Sequence, residues 1–535
     1  MSISLNPEQL TVKQELLDFI ASSNKYHVLM GMAGTGKTTL ITSALKELSN
    51  KIIVFSATTN KAVSVLKIMT RLKTNSGVSY STIHKLLNIR RQITDEGRQK
   101  FMYIEGHDSS PIDKVDILII DEASMVNRFM LDRLDSMTRG LKIKIIFVGD
   151  INQLPPINES KSSVFSKNYP ISKLTKIERY KNDIVKYAGS IIGCGRVQYK
   201  DLNKEVAFMR DKKEWMDLYC KDVGNSIILA YTNNSCNNHN RNARSVLFNT
   251  NDVYVVGEKI VFNSPYYDEG ASSAETPNNI MKFHTSEMGI IKDIAKTVNG
   301  LSQLPINDIL NLKIRMDKGV VVPATHELKP ITKETCPICY DDVIDIMSQT
   351  RCGHLFCVSC IKLWLDKNKC CPMCRCELSG EYITINRSEE ASKILNELIA
   401  YTKHLQINTF TLHVAKTNDK FNLMGNVVII DPCDKVKYTE IYDYINSRLT
   451  KLKTYLDGKH DAFNKTIMMR MWQFFYTNYI DLFADIGYGY CITVHKSQGS
   501  TYDNVYVDLK DIVQNNRNDA KECVYTAVTR AANML

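Results

Sequence analysis

The chain has 535 residues, with 68 Lys and Arg against 58 Asp and Glu, for a formal charge of +10. Apolar residues make up 44% and charged residues 24%, which excludes a mostly disordered or fibrous chain and leaves material for several domains. No run approaches the roughly 18 uninterrupted apolar residues of a membrane helix. The start, Met1 to Glu8, has no basic segment followed by an apolar one, so no membrane partner and no secretion are expected.

In chain order, the apolar runs Tyr26–Met30, Lys51–Phe55, Val115–Ile120 and Lys144–Val148 are short, rich in Val and Ile, and separated by amphipathic stretches. That pattern predicts an α/β fold with a parallel sheet covered on both faces. Asn88–Pro111 breaks the rhythm and carries Thr94-Asp95-Glu96-Gly97, the signature of a hairpin turn. A second α/β series begins at Ile227–Tyr231 and resumes at Tyr488–Val494 and Asn504–Leu509. No internal repeat of fixed period is evident.

Gly31-Met32-Ala33-Gly34-Thr35-Gly36-Lys37-Thr38 fits G-x-x-x-x-G-K-[ST], placed after a strand and before a helical run. Such a loop turns backbone N–H groups and a helix N-terminus toward phosphates. Lys37 is expected to neutralise the β- and γ-phosphates of ATP, with the Thr38 hydroxyl on Mg²⁺ and Gly31, Gly34, Gly36 and Thr39 in the same cradle. Asp121-Glu122 ends the next apolar strand, where Asp121 can hold Mg²⁺ and Glu122 can orient or deprotonate the attacking water. Gln153, in Gly149-Asp150-Ile151-Asn152-Gln153-Leu154-Pro155-Pro156, offers an uncharged amide to the γ-phosphate.

These residues resemble motifs I to III of superfamily-1 helicases of the RecD-like and Dda-like group, and further motifs follow in the family's order. Leu5-Asn6-Pro7-Glu8-Gln9 resembles the adenine-reading Q motif, implying Gln9 as the base contact. Ser56-Ala57-Thr58-Thr59-Asn60-Lys61-Ala62 and Thr82-Ile83-His84-Lys85-Leu86-Leu87 resemble motifs Ia and Ib. Thr58 stands where the family usually has Pro. Leu174 to Arg179 resembles motif IV, Thr493-Val494-His495-Lys496-Ser497-Gln498-Gly499-Ser500 motif V, and Tyr525 to Ala531 motif VI. The resemblance implies Arg179 and Arg530 as arginine fingers and Gly499 at the nucleotide. It also implies a single-strand track through Thr58, Asn60, Thr82, His84, Thr493 and His495, and 5′→3′ travel on single-stranded or forked DNA by a monomer.

The cysteines are the other feature. Nine of 15 lie between Cys336 and Cys376, spaced Cys336-x₂-Cys339-x₁₂-Cys352-x-His354-x₂-Cys357-x₂-Cys360-x₁₀-Cys371-x₂-Cys374. Eight donors make two tetrahedral Zn²⁺ sites. Cys370 and Cys376 compete on spacing, but Cys371-Pro372-Met373-Cys374 repeats the shape of Cys336-Pro337-Ile338-Cys339. The order resembles a RING finger, whose ligands interleave: Cys336, Cys339, Cys357 and Cys360 for one ion, Cys352, His354, Cys371 and Cys374 for the other. That resemblance also implies a ubiquitin-conjugating enzyme as partner, met by Ile338, Trp364, Pro372 and Arg375. A purely structural zinc module is the alternative.

The expected architecture is two RecA-like lobes, 1A (1–87 and 112–178) and 2A (179–255 and 481–535). Lobe 1A carries a pin subdomain (88–111), with Phe101, Met102 or Tyr103 near its tip. Lobe 2A carries an insertion (256–332 and 377–480) containing an SH3-like β-barrel, and this in turn carries the RING module (333–376). An RNA helicase, a ligase scaffold with residual ATPase, and a translocase that does not unwind share the same motifs. An intracellular location, in cytoplasm, nucleus or a viral factory, suits reduced thiols. Residues 51–100 hold ten Lys and Arg against Asp95 and Glu96, a local net charge of +8 placed for a phosphate backbone.

Overall fold

The computed structural model describes residues 5–48, 50–70, 77–103, 111–178, 184, 187–191, 206–209, 211–267, 281–302, 334–340, 342–343, 346–350, 352–378, 382–386, 389–417, 423–456, 461–515 and 519–535. Arg179 therefore lies outside the described residues. Six strands form the first sheet in the order Val78–Thr82, Ile53–Ala57, Ile117–Ile120, Lys144–Gly149, Tyr26–Gly31, Ile171–Leu174, all parallel. Neighbouring residues on these strands go to opposite cores. Val28, Val54, Leu118 and Ile145 pack with Leu131 and Leu134 on one face. Leu29, Phe55, Ile119 and Ile146 pack with Leu16 and Leu40 on the other. The continuous apolar runs in the sequence follow from this two-sided burial.

The second parallel sheet runs Cys491–Thr493, Ser226–Ala230, Tyr502–Val507, Ala531–Met534. Ile227 and Leu229 face one core and Ile228 and Ala230 the other. Between these strands in sequence comes an antiparallel five-stranded sheet, ordered Met424–Ile430, Gln406–Lys416, Met288–Gly300, Lys259–Phe262, Ile486–Tyr488. Four of its strands lie in the insertion expected to hold the β-barrel, and the fifth, Ile486–Tyr488, lies in the stretch expected for lobe 2A.

Ile89–Ile93 and Gln99–Tyr103 pair antiparallel, so the pin hairpin exists, but its tip differs from expectation. The register Ile89↔Tyr103, Arg90↔Met102, Arg91↔Phe101 puts Tyr103 and Met102 toward the base and Phe101 midway along the ladder. The turn is Thr94–Arg98, and the Gly97 N–H donates to the Thr94 carbonyl at 2.9 Å. Its tip is covered by the helices Lys435–Leu456 and Asp461–Phe475. Trp472 Nε1 donates to the Asp95 carbonyl at 3.2 Å, the Tyr476 hydroxyl to the Gly97 carbonyl at 2.9 Å, and Lys453 Nζ lies 3.0 Å from Asp95.

In the cysteine block, Ile346–Thr350 pairs with Leu355–Cys357 and Tyr382–Asn386, followed by the helix Val358–Leu365. Its core residues Cys336, Phe356, Ile361, Cys371 and Leu378 continue into Leu395, Leu398, Ile445, Leu449 and Trp472 of the inserted helices as one cluster, with Ile93 of the pin against it. No helix among the described residues is long and apolar enough to cross a membrane.

Candidate nucleotide, zinc and strand-binding sites

A cavity of about 380 Å³ is lined by Gly34, Gly36, Lys37, Thr38, Thr39, Asp121, Glu122, Gln153, Gly499, Ser500 and Arg530, among others. It gathers predicted residues more than 490 positions apart (37 to 530). Gly36 stands at φ +82°, and a Cβ there would lie 2.5 Å from Gln9 Nε2, so glycine serves both the turn and the close approach of Gln9. Gln9 itself donates to the Thr35 carbonyl at 3.1 Å, and its Oε1 closes a capping box with the Asn6 N–H. It braces the loop from beneath and is not among the lining residues.

Lys37 Nζ donates to the carbonyls of Gly31 and Met32 at 2.7 and 2.9 Å. Burial pushes its pKa down, against the pull of Asp150, Asp121 and Glu122. Burial, and then the Glu122 carboxylate beside it, pushes the Asp121 carboxyl well up from its ordinary range. A divalent cation at Thr38 and Asp121 would relieve that cost, so the donor set fits Mg²⁺.

Gln153 is the hinge of the arrangement. With its amide nitrogen toward Glu122, it donates to Glu122 Oε2 at 3.1 Å and its oxygen accepts from Arg530 Nη2 at 3.1 Å. Arg530 is 4% exposed and is held by the Thr526 and Ser500 carbonyls at 3.1 and 3.2 Å. One amide thus joins the carboxylate of the first sheet to the arginine of the second. Sequence reasoning missed the supports. Asp150 accepts from the Ala33 N–H at 3.0 Å and from the Tyr525 hydroxyl at 2.6 Å, and the Leu154 N–H donates to Thr526 Oγ1 at 3.1 Å. Asp150, Tyr525 and Thr526 all stood inside quoted motifs, which was the available signal.

Of the expected strand contacts, Thr58, His84 and Phe101 come together. His84 is hydrogen bonded to the Thr58 backbone, burial lowers its pKa, and its ring centroid is 5.7 Å from that of Phe101, which is 65% exposed. In the second lobe His495 sits 5.8 Å from Tyr231, ring to ring. The two stretches Thr82-Ile83-His84-Lys85 and Thr493-Val494-His495-Lys496 are a local repeat that inspection of the sequence overlooked. Each Thr ends a strand, and its hydroxyl caps a four-residue helix by accepting from Lys85 N or Lys496 N. Asn60 opens the helix Asn60–Thr70. The basic segment is partly neutralised: Arg91 is paired with Asp481, Lys51 with Asp116 and Arg98 with Glu96.

The cysteines gather in the interleaved pairing. Cys336, Cys339, Cys357 and Cys360 form one group, and Cys352, His354, Cys371 and Cys374 the other, with the donor atoms of each within 4.8 Å of one another. A tetrahedral ion with Zn–S bonds near 2.3 Å needs sulfurs about 3.8 Å apart, so both sets fit zinc. Trp364 Nε1 donates to the Cys370 carbonyl at 2.8 Å and is half-buried, as are Ile338 and Pro372, while Arg375 is exposed. Leu363 and Met373, which the sequence reading did not single out, are exposed and adjoin Trp364 and Pro372 in sequence.

Two parallel-sheet lobes, a phosphate loop and an arginine reaching in from the second lobe define a nucleotide-hydrolysing motor. The comparisons specify it further. The chain matches the AAA domain over residues 4–212, the UvrD-like helicase C-terminal domain over 488–535 and the Ring finger domain over 334–375. An uncharacterized protein of Acanthamoeba polyphaga mimivirus is 26% identical over 99% of both chains. The ATP-dependent DNA helicase dda of Enterobacteria phage T4 is 29% identical over 264 residues, 45% of this chain and 57% of that one. RecBCD enzyme subunit RecD of Buchnera aphidicola is 34% identical over 28% of this chain and 26% of its own. Among solved structures, Pif1 helicase from Bacteroides in complex with ADP-AlF3 and ssDNA aligns over 99% of this chain and 91% of its own, at 13% identity and a TM-score of 0.41. Over its two ATPase segments the chain is thus similar to superfamily-1 helicases of the Dda- and RecD-like kind, and the Ring finger match lies between those segments.

Proposed function

We propose that this enzyme moves 5′ to 3′ along single-stranded DNA as a monomer, splits forked duplexes on the hairpin Ile89–Tyr103, and recruits a ubiquitin-conjugating enzyme through its RING finger. The observation that carries the motor reading is the Glu122–Gln153–Arg530 chain across the cleft. Lys37 holds the β- and γ-phosphates, while Glu122 orients the attacking water and takes up its proton. Thr38 and Asp121 would hold magnesium, which when bound would supply positive charge at the phosphate oxygens. Arg530, joined in this reading by Arg179, stabilises charge on the transferring phosphoryl only when the lobes are together. Gln153 senses both, so loss of the γ-phosphate weakens the tie between lobes. Differential grip on the strand by the Thr82/His84 and Thr493/His495 capped helices turns that opening into a step.

The exposure of Leu363 and Met373, the sequence neighbours of Trp364 and Pro372, supports a conjugating-enzyme dock over a merely structural zinc knot. A RING works by holding a charged thioester in a reactive conformation, so no nucleophile is needed. The motor test is unwinding of 5′- and 3′-tailed duplexes of DNA and of RNA, beside Lys37→Ala. Separation of the 5′-tailed DNA fork alone, lost in Lys37→Ala, is expected; equal use of both polarities would refute the direction. For the RING, ubiquitin discharge from a conjugating-enzyme panel should be stimulated and should fall with Ile338→Ala.

A further inference from the structure

The Leu5–Gln9 motif implies Gln9 as the base contact, yet the fold spends its amide inside the protein. Gln9 Nε2 donates to the Thr35 carbonyl and Oε1 accepts from the Asn6 N–H, both at 3.1 Å, and the residue is 5% exposed. The same corner holds another polar residue that does line the cavity, Glu178. Its N–H donates to the Gly34 carbonyl of the phosphate loop at 2.9 Å. Glu8 of the first helix fixes the approach to it, accepting from the Thr175 N–H, the Thr175 hydroxyl and the Lys176 N–H at 2.8, 2.6 and 3.0 Å. The Glu178 carboxylate is held by one oxygen. Oε1 accepts from Asn6 Nδ2 and pairs with Lys176 Nζ, each at 2.8 Å. Lys176, and then Asn6, keep the carboxyl below its ordinary range, so it is ionised at neutral pH. Oε2 has no partner among the described residues.

Resting on the reading of this cavity as a nucleotide site, we propose that Glu178 selects the base, its Oε2 accepting the 6-amino group of adenine, while Gln9 is a positioning residue for the loop. An ionised carboxylate accepts and cannot donate. Adenine offers it an amino N–H, whereas guanine carries a carbonyl oxygen at the same place. Guanine could instead present N1–H and the 2-amino group side by side, but gripping both takes two open carboxylate oxygens. Here Oε1 is already filled by Asn6 and Lys176. One free acceptor on a clamped backbone therefore favours ATP over GTP.

The test is equilibrium binding to the full chain, by calorimetry with magnesium, of ADP, GDP and purine riboside diphosphate, which lacks the 6-amino group. Diphosphates keep hydrolysis out of the measurement. The wild type should bind ADP about tenfold or more tightly than either of the others, and Glu178→Ala should bind all three within about threefold of one another. In Glu178→Gln the amide oxygen stays with the Asn6 and Lys176 donors and the amide nitrogen turns to the base, so the preference should move toward GDP. Gln9→Ala should weaken all three ligands alike. A wild type that does not distinguish ADP from purine riboside diphosphate overturns the proposal, as does an ADP preference that survives in Glu178→Gln. Loss of the preference in Gln9→Ala alone would return the base to Gln9. The isosteric Gln variant decides the matter even where Glu178→Ala fails to fold. A wild type that binds none of the three would overturn the nucleotide reading itself, whereas the ratios overturn the base assignment alone.

Discussion

Gly97→Ala probes whether docking of the pin tip on the inserted helices matters for strand separation. Gly97 stands at φ +74°, where an L-residue pays about 1–2 kcal/mol. The added methyl would meet Cδ2, Cε2 and Cζ2 of Trp472 at 2.7–2.8 Å. Ordinary carbon contacts are about 3.5–4.0 Å, so one partner must retreat by roughly 1 Å. Trp472 is 2% exposed and packed edge-on against Phe475, so the hairpin is the part that yields. Its retreat stretches the Trp472–Asp95 and Tyr476–Gly97 hydrogen bonds, each worth about 0.5–1.5 kcal/mol net. A total of about 2–5 kcal/mol lowers the docking equilibrium constant roughly 30- to 4,000-fold. Two assays run side by side read this out: separation of a 5′-tailed fork, and ATPase stimulated by single-stranded DNA. Unwinding should drop about tenfold or more while ATPase stays within about twofold, because the cavity shares no residue with the pin tip. Unchanged unwinding would refute a role for the docked tip. A parallel fall in ATPase would show that the change reached the motor instead.

Arg530→Ala should lower kcat for ATP by about 10³-fold or more while leaving nucleotide binding measurable, and Arg530→Lys should not restore it, since the forked guanidinium bonds both Gln153 and Ser500. Asp121→Asn should abolish magnesium-dependent hydrolysis yet raise the melting temperature of the nucleotide-free protein. The sign follows from burial: a carboxyl whose pKa rises on folding costs stability above its ordinary range, increasingly until the raised pKa is passed. The gain should therefore be absent near pH 4 and full at pH 8, and a melting series across that range checks it. Chelation of zinc should unfold the cysteine block and diminish fork separation while strand-stimulated ATPase persists, because the zinc-block core is separate from both cores of the first sheet. Loss of ATPase on chelation would contradict that separation.

Much of this protein was legible in the sequence because local chemistry fixes it. A phosphate loop needs its glycines and lysine within one short run, a two-sided parallel strand needs an unbroken apolar run, and a zinc knuckle needs its cysteines separated by two residues. Lys37, Asp121 and the eight zinc donors were therefore visible as short patterns. Gln153 was read from its uncharged amide after the strand and Arg530 through motif resemblance, and only folding shows that one amide joins Glu122 to Arg530. The twin Thr-x-His-Lys caps were present in the letters but acquire meaning only as equivalent strand ends in two lobes.

Other features had no local signature at all. The pin's tip was misplaced because aromatic residues attract attention, whereas the strand register puts Tyr103 at the base and Phe101 midway, and leaves Asp95–Gly97 to meet Trp472. That contact joins residues 377 positions apart and depends on a core shared by the zinc block and the inserted helices. The basic excess of residues 51–100 likewise looked uniform until Arg91, Lys51 and Arg98 were seen to be paired. Spacing alone also left Cys370 and Cys376 equivalent as spare thiols. Sequence determines which chemistries a chain carries, because each rests on neighbouring residues. Which side chains remain available for them is decided by packing between distant segments, and that only the tertiary structure supplies.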